Sequence, residues 1–426
     1  MKKFKLNIQL FAAGDALNKT TDGALSPEMK TFYDKTLITL ASPYLVHDQF
    51  GQKRDIPQNG GKIIEFRKFS ALPKALTPLT EGVTPSGNKL NVSSVSASVE
   101  QYGDYVEQTD VLELTAVDST IVEATKQLSA QAGLTMDTVV RNEIVGGTNV
   151  IYCPSVSSSG ETEITSRHLI DASSKLRVKD VFKAAAELKA MNAPKIDGYY
   201  VGIIHPYVAY DLMQEAGNQW MDVQKYASPE NMLTGEIGCL GGVRFVESTE
   251  AKIFKGAPLT ANHGTFSVAT ALSAASRTVE ISEKLTSKEA TALAGRKISL
   301  GGKSYTIASA AAGVGVAKSS ITVSSSDDTI PTSDAAEGAV IYPGEGGKNN
   351  CAVFATMIIG ADAYGVTSVT GGGIEHIVKQ KGYGNDPLNQ RSSVGWKALK
   401  TAKRLVEEYM VRIESGSAFS NNAEAN

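Results

Sequence analysis

The chain has 426 residues, 42% hydrophobic and 20% charged, proportions that suit a polypeptide folding around a core. Its 42 Lys and Arg against 45 Asp and Glu leave a formal charge of −3, which excludes a nucleic-acid binder working by overall basic charge and a solvated acidic chain. The three scattered cysteines, Cys153, Cys239 and Cys351, form no C-x-x-C pair and argue against a disulfide framework or a cysteine zinc site; no apolar run of roughly 18 residues marks a membrane-crossing helix.

The opening Met1 to Ala13 is basic and amphipathic. Asn7 and Gln9 interrupt its apolar run, which is too short for a signal peptide, so it reads as an arm. Ser26-Pro27-Glu28 starts a predicted helix through Phe32, Tyr33, Leu37 and Leu40 that stops before Pro43. Gly60-Gly61 opens a predicted strand, Lys62 to Phe69, with mixed residues on both faces. A segment punctuated by Pro73, Pro78, Gly82, Pro85 and Gly87 separates it from a second strand, expected from about Leu90 to Glu107 and rich in Ser, Ala and Val. Together they predict a long hairpin with a wide tip and too little side-chain volume to bury itself, so it requires a partner surface. Pro73, Lys74, Pro78, Glu81, Gly82 and Pro85 are the tip residues expected to make those contacts.

Asp118-Ser119-Thr120 caps the longest predicted helix, which runs from Thr120 to Val145 and ends at Gly146-Gly147. Ile121, Leu128, Ala132, Met136, Val139, Val140 and Ile144 form its apolar stripe, along a rod of roughly 40 Å. Val150 to Ser174 is Ser-rich and reads as loop. Then come an amphipathic helix, Lys179 to Met191, a short apolar strand, Gly198 to Ile204, a helix opened by His205-Pro206, and a turn and strand over Gly238 to Val246. This alternation predicts an α/β or α+β subdomain with a central sheet.

Composition changes from about Ser267 to Gly347, where Ser, Ala, Thr and Gly dominate. Alternating runs at Thr278 to Ser282, Lys297 to Leu300, Ser304 to Ala308, Ser320 to Ser324 and Ala339 to Tyr342, with Gly301-Gly302 as a hairpin turn, predict a small inserted β-domain. The earlier style resumes with an apolar strand, Ala352 to Ile359, the glycines Gly371-Gly372-Gly373, a run from Ile374 to Lys379, and two final segments, Val394 to Leu405 and Glu408 to Glu414.

No constellation of catalytic, metal-binding or cofactor-binding residues emerges. H-E-x-x-H, G-x-x-x-x-G-K-[ST] and G-x-S-x-G are all absent. Asp55, Glu65, Asp104, Glu107, Asp110 and Glu113 lie in strand regions and read as solvated faces rather than a glycosidase pair. His205 reads as a turn or capping residue. Lys397, Lys400, Lys403 and Arg404 form a basic cluster, read as an inter-subunit charge partner or a solvated face before a nucleic-acid contact. Long elements in need of partners, without an active site, point to an assembly subunit.

The order of elements resembles the major capsid proteins of tailed bacteriophages, with the Hong Kong 97-like fold, and within them the phage N4-type family. The resemblance is carried by Lys3 to Ala12 (KFKLNIQLFA), Ser26-Pro27-Glu28-Met29 with Tyr33, Gly60-Gly61-Lys62, Leu79-Thr80-Glu81-Gly82, and Ile204-His205-Pro206 with Asp211-Leu212. It continues with Phe354, Gly360, Ala363, Tyr364 and Gly365, then Asp386-Pro387-Leu388 and Gly395-Trp396-Lys397. It covers about 1–266 and 348–415, and 267–347 departs from it.

The resemblance implies an α+β capsid fold. Its parts would be an N-arm in 1–50, an E-loop hairpin in 51–107, a P-domain spine helix in 108–150, an A-domain with further P-domain in 151–266, an inserted β-rich domain in 267–347, and a return to both domains in 348–426. Ile121, Leu128, Met136 and Val140 would be the apolar face of the spine helix. The implied partners are hexamers and pentamers of the same chain, portal and decoration or scaffolding proteins, and double-stranded DNA held non-specifically, with no membrane and no cofactor. The implied place is the virion, assembled in the host bacterial cytoplasm. An encapsulin-type nanocompartment shell shares the fold and is the first rival reading; a glycan-binding or glycan-cleaving surface protein is the second.

Overall fold

A computed structural model describes residues 45–426 apart from 58, 70, 71, 73, 77, 79, 80, 83, 85, 86, 112–119, 218, 219, 221–234, 314–317, 369–372, 380 and 382–387. The helix expected after Ser26, the cap at Asp118-Ser119 and the pair Gly371-Gly372 lie outside the described residues.

One sheet is organised on a single long strand, Arg391–Arg404. Along one edge it pairs antiparallel with Glu100–Thr109, from Arg391 opposite Thr109 to Lys400 opposite Glu100. Along the other it pairs with Glu375–Lys379 and then Tyr364–Ser368, both antiparallel, and Gln52–Lys53 adds to the latter in parallel. Helix α1, Thr120–Val145, lies on this sheet, where Leu128, Ala132 and Met136 pack with Val394, Trp396 and Ala398.

A second sheet runs in the order Val150–Tyr152, Met410–Ser415, Val353–Ile359, Tyr200–Ile204, Val243–Glu247 and Glu236–Leu240, with Ile253–Phe254 also on the third strand. Val353–Ile359 and Tyr200–Ile204 are buried throughout, which explains why they read as continuous apolar runs rather than alternating ones. On one face lie α2, Val178–Ala190, and α3, Pro206–Ala216, whose Val181, Leu188, Val208 and Leu212 pack with Phe245, Phe354 and Ile413. His205 is the N-cap of α3, its Nδ1 accepting the Tyr207 amide at 3.2 Å, and burial lowers its pKa to about 4.

The other face of that sheet is covered by the far end of α1. Leu128, Ala132, Met136, Val140 and Ile144 are spaced four apart. At about 100° per residue each four-residue step overshoots a full turn by about 40°, so the apolar stripe travels around the helix. Its first half faces the strand Arg391–Arg404, while Val140 and Ile144 pack with Val201, Ile203, Met357 and Ile359 of the second sheet. One helix therefore joins two sheets. At its end Gly147 N donates to Ile144 O at 3.3 Å, and Arg412 donates to Val145 O and, just past the helix, to Gly147 O at 2.9 Å.

The composition shift corresponds to a six-stranded antiparallel sheet with its own core, in the order Phe266–Ser267, Val340–Pro343, Lys297–Leu300, Lys303–Ala311, Ser319–Val323 and Thr278–Ile281. The first and last strands meet through Val268 and Ile281, with Ser282 N donating to Ser267 O at 2.9 Å and Ala269 N to Glu280 O at 2.8 Å, so the sheet closes into a barrel. Gly301 and Gly302 have φ of +61° and +78°, as a two-residue hairpin turn with both centres left-handed demands. The barrel enters after Ile253–Phe254 and leaves before Val353–Ile359, strands that pair with each other. Its Arg296 donates to the carbonyls of Ala257, Pro258 and Leu259 at 2.7–3.0 Å, which holds the entry segment. Helix α4, Ser287–Leu293, lies in it, with Thr286 and Glu289 forming a reciprocal cap.

Three expectations need correction. The second hairpin arm is two strands: Val92–Ser98 pairs with Ile63–Phe69, and after Val99 the chain joins the large sheet as Glu100–Thr109. Both pieces are extended and contiguous in the chain, so the transfer between sheets does not show as a change of element type. The segment read as loop after Val150 holds the strand Val150–Tyr152 and a small hairpin, Ser155–Ser157 with Gly160–Thr162. The strand Tyr364–Ser368 was not foreseen, because it is short and buried on both faces and shows no alternation.

Leu128 is 3% exposed against Trp396 and its neighbours, whereas Val122 on the same helix is 45% exposed. Leu128→Ala is expected to cost about 2–5 kcal/mol in denaturant titration, and Val122→Ala less than about 0.5 kcal/mol. Equal costs would refute the assignment of the buried face.

Candidate assembly surface

The hairpin is anchored at its base only. Phe66, Ala97 and Val99 are buried there, and the Phe66 ring lies against Gly365, where an added Cβ would sit 2.6 Å from the ring. Val99 N donates to Lys62 O at 2.8 Å and fixes the point where the chain leaves the hairpin. Between the hairpin base and α1 runs an open cleft of about 610 Å³ lined by Ser96, Tyr102, Asn142, Glu143 and Lys403. Large apolar side chains face solvent along the hairpin, Ile63 at its base and Leu72, Leu76 at 82% exposure, Leu90 and Val92 beyond it. Such a concentration of exposed aliphatics on an extended ribbon marks an interaction surface. Of the expected tip residues, Lys74, Pro78, Glu81 and Gly82 are exposed in the loop, and Gly82 has φ +78°; Pro73 and Pro85 lie outside the described residues. Of the expected helix residues, Leu128, Met136 and Val140 are buried and Ile121 packs at the edge of the same cluster.

The segment 45–50, ahead of the hairpin, is held by a polar network that the sequence reading missed. His47 N donates to Asp137 Oδ1 at 2.7 Å and its Nδ1 lies 2.6 Å from Asp137 Oδ2, with both side chains buried. The Tyr364 hydroxyl donates to His47 O, and Lys400 pairs with Asp48 at 2.6 Å. One turn along α1, Arg141 donates to Glu250 O at 2.9 Å; burial pulls its guanidinium below the usual arginine range, opposed by Glu250 and Asp137. The available signal was the spacing: Asp137 and Arg141 are four apart and each adjoins a stripe residue, Met136 and Val140, so both had to be buried with partners.

The basic cluster has acidic partners within the subunit, and its Lys397 and Lys403 remain half-exposed, as a solvated face would have them. Lys397 pairs with Glu375 at 3.0 Å, Lys400 with Asp48, Lys403 with Glu143 at 3.4 Å, and Arg404 with Glu143 and Glu407 at 3.7 and 3.4 Å. The strand carboxylates have local partners: Asp55 accepts from Ser368 Oγ at 2.6 Å, Asp104 from Gln131 Nε2 at 2.7 Å, and Asp110 from Val111 N at 2.8 Å, while Glu113 lies outside the described residues. Among the described residues no group of three His, Cys, Asp or Glu side chains could hold a metal ion. Chemically, the surface can present apolar side chains and strand edges to another polypeptide.

Comparison with known proteins follows the same direction. A family described as phage capsid protein matches residues 109–385, a span that runs through the barrel. No curated protein matches the sequence. The capsid of cyanophage Pam1 is similar in structure, with a TM-score of 0.50 at 12% identity, over 98% of this chain and 100% of that one. The capsid of Ralstonia phage GP4 gives 0.48 at 12% identity over 88% of each chain, and an encapsulin complex from Synechococcus elongatus gives 0.42 at 6% identity over 88% and 89%.

Asp137→Ala would strip two acceptors from the buried His47 and loosen the segment 45–50 from α1. The expected loss is about 1–3 kcal/mol, read as a lowered thermal midpoint, with partial recovery in Asp137→Asn. An unchanged midpoint would refute the anchoring role.

Proposed function

The chain belongs to the phage capsid protein family, carries the Hong Kong 97-like fold and is a tailed-phage major capsid protein, and on that premise we propose that the hairpin Ile63–Ser98 is its main assembly element. The subunit acts with other copies of itself in the shell of the virion. The observation that supports the hairpin's role is its combination of a base-only anchor with exposed Leu72, Leu76 and Leu90.

In this reading the mechanism is geometric. Copies pack residues 151–266 around five- and six-fold centres, and each hairpin lies across a neighbour, its tip contacts including Pro73, Lys74, Pro78, Glu81, Gly82 and Pro85. The face of α1 carrying Ile121, Leu128, Met136 and Val140 keeps the subunit rigid under those contacts. Residues 1–50 serve as the arm and 267–347 decorate the outside of the shell. The shell encloses double-stranded DNA by non-specific contact, works with a portal and with decoration or scaffolding proteins, and is assembled in the host bacterial cytoplasm. Narrower membership of the phage N4-type group belongs to the same reading.

Replacing residues 73–87 by a short Gly-Ser turn is expected to leave the subunit folded, with unchanged circular dichroism, while closed shells in negative-stain microscopy largely disappear; normal shells would refute the hairpin's role. A second variant replaces 267–347 by a linker. Shells of normal size lacking surface knobs are expected, and an insoluble or unassembled product would place the barrel in the body of the shell.

A further inference from the structure

Residues 416–426 follow the strand Met410–Ser415 and run to the two places where the chain crosses between the body and the barrel. They are fixed first at α3. Ser417 is fully buried, and its Oγ donates to Asp211 Oδ2 at 2.8 Å; the Ala418 amide donates to the same oxygen at 2.9 Å. The Phe419 ring stacks on Tyr207 with 4.7 Å between centres and meets Tyr210 edge-on at 5.5 Å. They are fixed again at the crossings. Asn426 Oδ1 accepts from Ile253 N, and its Nδ2 donates to Ala251 O, both at 3.0 Å. A side-chain amide thus makes the pair of bonds that a residue of an added parallel strand would make. Lys255 Nζ donates to Asn422 O at 3.0 Å and pairs with Glu424 at 3.2 Å, and Ala352 N donates to Asn421 O at 2.8 Å.

The crossing into the barrel has a short strand of its own. Ile253–Phe254 pairs with only Val353 and Phe354, extended by Ala355 N on Lys252 O at 2.9 Å, and the Phe254 ring lies under the Arg167 guanidinium at 3.4 Å. Asn350 joins the two crossings to each other, accepting from Gly256 N at 2.7 Å and donating to Gly256 O at 3.0 Å. The crossing out of the barrel is tied to the body by Lys348 N on Ile170 O at 2.7 Å. Phe419 is 58% exposed and the Glu424 pair is at the surface, so the segment 418–426 can lift without opening a core. We propose that residues 417–426 are a clasp. Closed, they bind α3 to the crossing into the barrel and hold the barrel on one bearing. Open, they let that crossing fray while the barrel and the body stay folded. The clasp lies within one subunit and needs no shell to act; on the shell reading above it gives every barrel the same bearing.

Hydrogen exchange followed by mass spectrometry on the purified protein tests this. Removing residues 421–426 is expected to speed exchange several-fold at 251–256 and at Ala355, whose amide bonds to Lys252 O rather than to the clasp. The barrel strands Lys297–Leu300 and Ser319–Val323 and helix α1 should keep their protection. Asn426→Asp keeps the acceptor for Ile253 N and loses the donor to Ala251 O, so its exchange at 251–256 should fall between those of the unaltered protein and Asn426→Ala. Phe419→Ala tests whether the two ends act as one: faster exchange at 251–256 supports the clasp, and a change confined to 417–421 shows two independent contacts and overturns it. Unchanged exchange at 251–256 in the shortened chain overturns it, as does an equal rise in α1 and the barrel strands, which is a general loss of stability. Trypsin gives a second measurement. Cleavage after Lys255 should be several-fold faster in the shortened chain and leave the barrel intact; a barrel digested as fast as Lys255 is cut overturns the proposal, because the barrel itself has then unfolded.

Discussion

The pairing of Arg391–Arg404 on both of its edges is the constraint from which the rest of the subunit follows. It lies near the end of the chain, yet it collects Glu100–Thr109 from before α1 and Glu375–Lys379 and Tyr364–Ser368 from after the barrel. It also carries Val394, Trp396 and Ala398, the surface on which α1 rests. Until this strand is in place the hairpin has no base and the long helix has no floor. The pairing with Glu100–Thr109 closes a loop of most of the chain, whereas those with Glu375–Lys379 and Tyr364–Ser368 are local.

The helix solves a second problem, that of holding two sheets with one rod. Spacing its apolar residues by four rather than by a mixture of three and four lets the buried face drift from one sheet to the other. The drift brings Asp137 and Arg141 under cover, and each is matched by a group from a distant segment, His47 and Glu250. Glu414 repeats the device in the second sheet: it is buried between Arg167, at 2.7 Å, and Arg412, at 2.8 Å. Breaking one member of such a set leaves an uncompensated charge, so these pairs favour a single arrangement of the elements they join.

The readable parts of the sequence were those whose cause is local. The helix Thr120–Val145 has its stripe and its terminal glycines, α3 has His205-Pro206, and the barrel's turn has Gly301-Gly302. The unreadable parts depend on something far away. Val99 hands the chain from one sheet to another, and only the positions of Lys62 and Arg391–Arg404 show it. The acids that neutralise Lys397, Lys400 and Lys403 stand at Glu375, Asp48 and Glu143. Helix α4 is an intermediate case: its cap, Thr286 with Glu289, is a local signal, but seven residues in a Ser- and Thr-rich stretch show too little periodicity to confirm it. At the candidate surface, the prolines and glycines of the tip announced an irregular loop. The exposure of Leu72 and Leu76 required the fold, since it depends on what fails to cover them.

The position of the barrel in the chain has a consequence for descent. It departs after Phe254 and returns before Val353, and Phe254 faces Val353 across an antiparallel pair. The two breakpoints are therefore neighbours in space, and a closed barrel leaves no edge of its own seeking a partner in the body. Recombination at these points could exchange one module for another, or for a short turn, without changing the register of a single strand in the host sheet. Phages that share this body are thus free to diverge at one address, and differences in size among their subunits should collect between these two residues.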